Sequence, residues 1–289
     1  MGNSKRNQKI DITIVGAGTL ATSLAAGLRE NGYRIDEVVS RDNAQSLRRA
    51  RELAKRVAAR AATLSAARFS ARITWICVPD DVIAQVARLI ADRRRDWSGK
   101  IVLHASGAIG SVVLDPLKRN GAEIASAHPL MTFVSVSKRD LTGVPFALEG
   151  DAKALTLAAS VVRKLHGKPF RLHPEFKAAY HAFGFFSSPA LVELIAAAQQ
   201  VGKLAGFSEH KSRALMEPIV RQTIDNCFGR TPQQAFSGPL RRGDAATIRK
   251  HLEVLMQAPE ALEVYRALAR IGLRHLPVGK RAELKRLIR

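Results

Sequence analysis

The sequence predicts an α/β domain built on a parallel sheet, followed by an all-helical domain. Three observations carry this. Up to about residue 151, short apolar β-branched runs alternate with stretches of helical period, the arrangement that pairs strands in parallel with helices on both faces. From residue 153 onward almost every stretch has helical period. A glycine-rich turn, GAGTLA at 16–21, separates the first strand-like run from the first helical one.

Each element has its own warrant. IDITIV (10–15) is apolar and β-branched, and LATSLAAGLREN (20–31) has the apolar spacing of a helix. RIDEVVS (34–40) is a strand, and NAQSLRRARELAKRVAARA (43–61) an amphipathic helix. A strand within ARITWICVPDD (71–81) leads into the helix DVIAQVARLIADRRR (81–95). GKIVLHASG (99–107), AEIASAHP (122–129) and GVPFALEGD (143–151) complete the strands. Next come a helix at 153–167 and a short extended segment, KPFRLHP (168–174). The stretch 175–206 is helical and apolar nearly all round in its middle, which predicts burial. Pro189 should kink or divide it, because proline removes an internal hydrogen bond. Helices at 210–229, 244–257 and 259–275 follow, with Asp244 as an N-cap. The chain thus divides into a tail (1–9) read as disordered, an α/β domain (10–172) and a helical domain (173–289).

Composition narrows the function classes. The 289 residues carry 46 Lys+Arg against 25 Asp+Glu, a net charge of +21. Such a field attracts anions of many kinds. Aromatics are only 6% and do not interleave with the basic clusters, so stacking platforms for nucleic acid are not evident and nucleic-acid binding is not the main function expected. Cys77 and Cys227 form no CxxC and the histidines no metal-binding spacing; no metal site is predicted, and a reducing compartment is. No secretory signal is read at the start, and no apolar run reaching the roughly 18 residues of a membrane span. A cytoplasmic protein without a membrane partner is expected.

The turn at 16–21 can hold a dinucleotide. Gly16 and Gly18 let the backbone turn tightly beside a pyrophosphate, and the helix start at Thr19 and Leu20 offers free amides and a positive dipole end. Ala21 replaces the third glycine of the usual fingerprint, a tolerated variant. Cofactor choice turns on the end of the second strand. An offset of about 20 residues from the glycines lands on Asp36 or Glu37, but these lie early in the strand, whereas ligands bind beyond carboxyl ends. That end is Ser40-Arg41-Asp42. A hydroxyl followed by a guanidinium suits a 2′-phosphate, so NADP(H) is favoured, while Asp42 leaves NAD open.

Several motifs recur together: GAGTLA, CVPDD (77–81), HASG (104–107), SAHPLMTF (126–133), FKAAYHAF (176–183) and SGPLRRGD (237–244). With these, nearly the whole chain from Ile10 resembles the Rossmann-like oxidoreductases whose helical C-terminal domain is of unknown function. They are cousins of ketopantoate reductase, pyrroline-5-carboxylate reductase and the hydroxyisobutyrate and 6-phosphogluconate dehydrogenases. The resemblance implies an N-terminal Rossmann domain, a 6-phosphogluconate-dehydrogenase-like helical domain, NADP(H) between them, and a homodimer through the helical part. It implies that Val78, Pro79 and Asp80 run along the cofactor and that Ser106 lies near the nicotinamide. It places Lys177 at the position of a catalytic lysine. Relatives follow that lysine with a Ser-Asn pair facing the substrate; here the chain has Ser187-Ser188-Pro189, which leaves Ser188 as the candidate contact.

The chemistry expected is reduction of C=O or C=N in a small polar, anionic metabolite, or the reverse. Lys177 and His181 stand at i and i+4, on one helical face, and either can donate the proton. The alternatives are a solvated first-turn lysine and a packing histidine. His104 and His128 end apolar strands and so fall on the cofactor edge; a histidine bonded to a loop carbonyl is as common there. Arg241 and Asp244 can grip a substrate carboxylate or the partner subunit, or serve as an exposed arginine and a plain cap. The competing function is a non-catalytic NADP-binding sensor or scaffold.

Overall fold

The computed structural model describes residues 10–134 and 140–289. The segments 1–9, including the expected tail, and 135–139 lie outside the described residues. The fold divides into two compact units, the first running through Phe185 and the second from Phe186 to Arg289. That division falls later along the chain than the 172/173 boundary expected from sequence.

The first unit is one sheet flanked by helices. Its strands are β1 (Asp11–Val15), β2 (Arg34–Ser40), β3 (Arg60–Thr63), β4 (Ile73–Ile76), β5 (Ile101–His104), β6 (Glu123–Pro129), β7 (Pro145–Gly150) and β8 (Lys168–Arg171). They lie in the order β3-β2-β1-β4-β5-β6-β7-β8. All neighbours pair in parallel except β6 and β7, which are antiparallel, a departure from the all-parallel sheet expected. The helices are α1 (Thr19–Glu30), α2 (Ala44–Val57), α3 (Asp80–Arg93), the short α4 (Asp115–Arg119) and α5 (Ala152–Lys164), with most of α6 (Lys177–Ser187).

Side-chain alternation along the strands builds two cores. Ile12, Ile14, Trp75 and Leu103 face α1 and α5, whereas Val15, Ile76, Val102 and Ile124 face α3 and α4. β1 stands between β2 and β4. The chain leaves it in opposite directions on the two sides, which opens a crevice beyond the carboxyl ends of these strands.

One strand was not foreseen. The helix expected over 43–61 stops at Val57, because Ala58 adopts φ 52°, a left-handed C-cap. The following Arg-Ala-Ala-Thr becomes β3. Arg60, Ala61 and Ala62 carry no β-branched signal, which comes only at Thr63, and helix periodicity therefore ran through the strand.

The second unit is helical: α7 (Pro189–Leu204), α8 (Glu209–Gly229), α9 (Pro232–Ala235), α10 (Pro239–Arg242), α11 (Ala245–Leu255), α12 (Pro259–His275) and α13 (Arg281–Leu287). The long apolar stretch is divided at Pro189, which begins α7. Two expectations need correction. The stretch Pro174–Leu204 reaches a mean hydropathy of 1.3 over an 18-residue window, long and apolar enough by length and composition to cross a membrane. The stretch carries only four charges, Glu175, Lys177, Glu193 and Lys203, and the qualifying window holds at most two of them. Nor is the stretch buried within the chain: Phe186 is 68% and Val192 66% exposed, and no α7 residue is buried. Asp244 caps α11 as expected, accepting from the Thr247 amide at 3.0 Å.

Candidate functional site

At the carboxyl ends of β1, β2 and β4 lies a cleft of about 560 Å³. Its floor is the turn 15–18, and its walls include Val39, Ser40, Arg41, Cys77, Val78 and Pro79. Gly16 is obligatory there. Its φ is 114°, and a Cβ would lie 2.2 Å from the Cys77 carbonyl oxygen. Gly18 starts α1 with no side-chain cap, and the first turn of α1 carries no acid. The neighbouring α3 begins with Asp80 and Asp81 instead. An anionic pyrophosphate is therefore accommodated at α1 and disfavoured at α3. The residues present fit a dinucleotide.

The far end of the cleft is cationic. Arg41 lines it as expected, joined by Arg49 and Ser46 on α2, which sequence reading missed. Their signal was the i, i+3 spacing from the N-cap Asn43, whose side chain accepts from the Ser46 amide at 2.8 Å. Ser40 lines the cleft too, but its hydroxyl donates to the Arg41 carbonyl at 3.1 Å. The strand's acids face elsewhere. Glu37 is buried, paired with Arg60 and accepting from the Arg68 and Phe69 amides, while Asp36 accepts from the Ser70 hydroxyl. Neither lines the cleft.

Among the other cofactor candidates, Val78 and Pro79 line the cleft together with Asp81. Asp80 instead accepts from the Ser106 hydroxyl at 2.8 Å, and that hydroxyl in turn accepts from the Ala108 and Ile109 amides. Thr19 and Leu20 form the first turn of α1 and are half-buried.

A second polar cluster lies beneath the turn 104–107. Lys177 is only 3% exposed although it opens α6. Its Nζ donates to the Ser106 carbonyl at 3.1 Å and the Ser126 hydroxyl at 2.6 Å, and stands 3.5 Å from Glu149 Oε1. Glu149, likewise 3% exposed, accepts from the Ser111 amide and hydroxyl. Sequence reading missed Glu149, Ser111 and Ser126; only an acid in the apolar strand PFALEG hinted at the first. Burial lowers the proton affinity of Lys177, and Glu149 opposes that shift.

The histidines divide by depth. His104 is fully buried, and its Nδ1 accepts from the Ser106 amide at 3.1 Å. Burial, reinforced by the Lys177 charge, pushes its pKa down to about 3. His128 is half-buried with its ring packed on Gly107, where a Cβ would lie 2.9 Å from that ring. Its Nδ1 shares a proton with the Tyr180 hydroxyl at 2.8 Å. Burial, then the charges of Lys177 and His181, lowers His128 to about 4, and burial raises Tyr180 to about 12. Tyr180 went unnoticed in the sequence; it stands at i+3 from Lys177, on the same helical face. His181 is exposed, in contrast to Lys177.

The structure thus gathers Lys177, His104, His128, Ser106 and Asp80 in the first unit. Ser188, Arg241 and Asp244 belong to the second, the last two with side chains engaged locally. Ser188 is the N-cap of α7, Arg241 donates to the Pro277 carbonyl at 3.4 Å, and Asp244 holds Thr247. No cluster of metal-binding side chains occurs among the described residues.

An α/β unit with its glycine turn and cleft at the sheet's topological switch point is of the dinucleotide-binding class. Residues 2–129 match the Rossmann-like domain family, and residues 144–271 match a domain of unknown function, DUF2520. The chain therefore pairs a Rossmann-like domain with a DUF2520 domain, the combination its motifs resemble. No curated protein matches it by sequence. Similar solved structures include a protein assigned as an NADP oxidoreductase from Bacteroides fragilis, at 24% identity and TM-score 0.74, covering 91% of this chain and 97% of that one. A reductive aminase from Aspergillus terreus, solved with NADPH and ethyl-5-oxohexanoate, shows 14% identity and TM-score 0.69 over 97% of this chain and 100% of its own. A pyrroline-5-carboxylate reductase from Coxiella burnetii shows 17% identity and TM-score 0.56 over 91% and 98%. At these identities the likeness establishes the fold.

Proposed function

We propose that this protein is an NADP(H)-dependent oxidoreductase acting on a C=O or C=N bond of a small polar metabolite. The observation that carries the reading is the cleft itself: a glycine floor that tolerates no side chain, an uncapped helix start, and Arg41 with Arg49 at the ribose end. The structural neighbours solved with NADPH support it. When bound, the cofactor supplies or accepts the hydride.

The residues around the turn 104–107 handle the proton. Lys177 is the candidate donor, since burial makes its ammonium a stronger acid. Its bonds to Ser106, Ser126 and Glu149 also fix the turn, so delivery requires one of them to open. Tyr180, bonded to His128 above Gly107, is the second donor on this face. Oxidation of NADPH in the presence of a panel of ketoacids, aldehydes and preformed imines tests the activity. Turnover that falls by roughly 10²–10⁴-fold in Lys177→Met supports a donor role for the lysine. NADPH binding with no turnover across the panel favours the sensor reading.

We further propose a homodimer through α7. On α7 the exposed side chains Leu191, Val192, Leu194 and Ile195 form an apolar surface of the kind that a second copy covers.

A further inference from the structure

Asp42 is the anomaly of the cofactor cleft. A carboxylate at the end of β2 ordinarily accepts hydrogen bonds from the ribose hydroxyls and repels a 2′-phosphate. Here it lines the cleft immediately after Arg41, in a site whose other ribose-end side chains are Arg49, Ser46 and Ser40. Yet it does not stand free. Its Oδ1 accepts from the Ser65 hydroxyl and from the Ser65 amide at 3.3 Å, and Ser65 is braced by the Thr63 hydroxyl at 2.9 Å. The sheet dictates this meeting. In the parallel β2–β3 ladder Ser40 lies opposite Thr63, and the Leu64 amide donates to the Ser40 carbonyl at 2.8 Å. Two residues past the paired ends, Asp42 and Ser65 therefore lie side by side. The Ser65 bonds are also the largest cause holding the Asp42 carboxyl below its ordinary range, so the acid is ionised and engaged. Ser65 itself is not among the residues lining the cleft.

We propose that Ser65 sets which dinucleotide this protein takes, by keeping the Asp42 carboxylate turned onto the end of β3 and off the ribose. The inference rests on the reading that the cleft holds a nicotinamide dinucleotide. With Asp42 tied back, Arg41 and Arg49 face a 2′-phosphate without a competing acceptor. Released, the same carboxylate becomes a ribose ligand for the unphosphorylated cofactor and a like charge against the phosphorylated one. Ser65 is a positioning residue, acting only through Asp42.

The test is calorimetric titration of NADPH and NADH, at one ionic strength, into the parent protein, Ser65→Ala, Ser65→Thr, Asp42→Asn and the Ser65→Ala/Asp42→Asn double variant. Ser65→Ala should lower the ratio of the NADH to the NADPH dissociation constant by about fivefold or more, equivalent to about 1 kcal/mol. Ser65→Thr, which keeps the hydroxyl, should retain the parent ratio. The double variant should match Asp42→Asn, because the amide carries no charge for the serine to keep away from the phosphate. A general loss of stability would weaken both nucleotides alike and leave the ratio unmoved. An unchanged ratio in Ser65→Ala, or the same fall with Asp42 already neutralised, overturns the proposal while a parent that prefers NADPH keeps the cofactor reading. A parent that binds neither nucleotide, or prefers NADH, removes the premise and the proposal with it.

Discussion

Replacing Lys177 by Met tests the buried cluster under the turn 104–107. The lysine and Glu149 are each 3% exposed and 3.5 Å apart, so the substitution leaves a buried carboxylate without its counter-ion. Breaking such a pair from one side costs about 3–5 kcal/mol. The lower end applies here. Glu149 keeps two donors, the amide and the hydroxyl of Ser111, and the Ser126 hydroxyl still donates to the Ser106 carbonyl at 3.0 Å. About 3 kcal/mol remains, which for a unit of this size lowers the melting temperature by about 6–12 °C. Thermal unfolding followed by circular dichroism reads this directly. Adding Glu149→Gln should recover part of the loss, since a neutral amide tolerates the dry site better than an unpaired charge. A Lys177→Met protein melting within about 2 °C of the parent would refute the reasoning and make the lysine a loosely held, solvated group.

Three other perturbations follow from the same geometry. Gly16→Ala should abolish NADPH binding, because its Cβ would collide with the Cys77 carbonyl oxygen at 2.2 Å and the backbone sits at φ 114°; calorimetry that still detects binding argues against the cleft. Stability should fall as the pH drops from about 6.5 towards 4, measured by urea unfolding. The folded-state pKa values of His104 and His128 lie near 3 and 4, so over that window the unfolded chain binds protons the native rings refuse. A slope of opposite sign would contradict their burial as neutral rings. If the proposed dimer forms, Val192→Asp, at a position 66% exposed in the single chain, should leave folding intact and yield a monomer by light scattering; a variant that stays dimeric places the interface elsewhere, and a monomeric parent removes the dimer proposal.

The fold was legible where periodicity was strong. The β1–α1–β2 unit, the helices at 152–164 and 259–275 and the break at Pro189 stand where apolar spacing and proline chemistry put them. β3 was not, because a left-handed Ala58 ends α2 and no residue pattern announces that conformation outside glycine and asparagine. That one miss concealed the Asp42–Ser65 contact, which exists only through the β2–β3 register. The antiparallel β7 was hidden for a related reason, since strand direction leaves no mark on a strand's own sequence. At the site, Gly16 and Arg41 could be read because strand–turn–helix context gives them a job. Glu149, Ser126 and Tyr180 could not, as they meet Lys177 and His128 only across long sequence separations. Conversely, the i, i+4 pairing of Lys177 with His181 was sound geometry on an isolated helix, yet packing buries the first and leaves the second exposed.

The most direct test of the account is the relative affinity of the unmodified protein for NADPH and NADH, with Arg41→Ala and Arg49→Ala alongside. Charge-assisted bonds to a 2′-phosphate contribute about 1.5–3 kcal/mol, so NADPH should bind about 10–150-fold more tightly. Each arginine variant should narrow that gap chiefly by weakening NADPH. Equal affinities for the two cofactors, or no binding of either, would contradict the account at its centre.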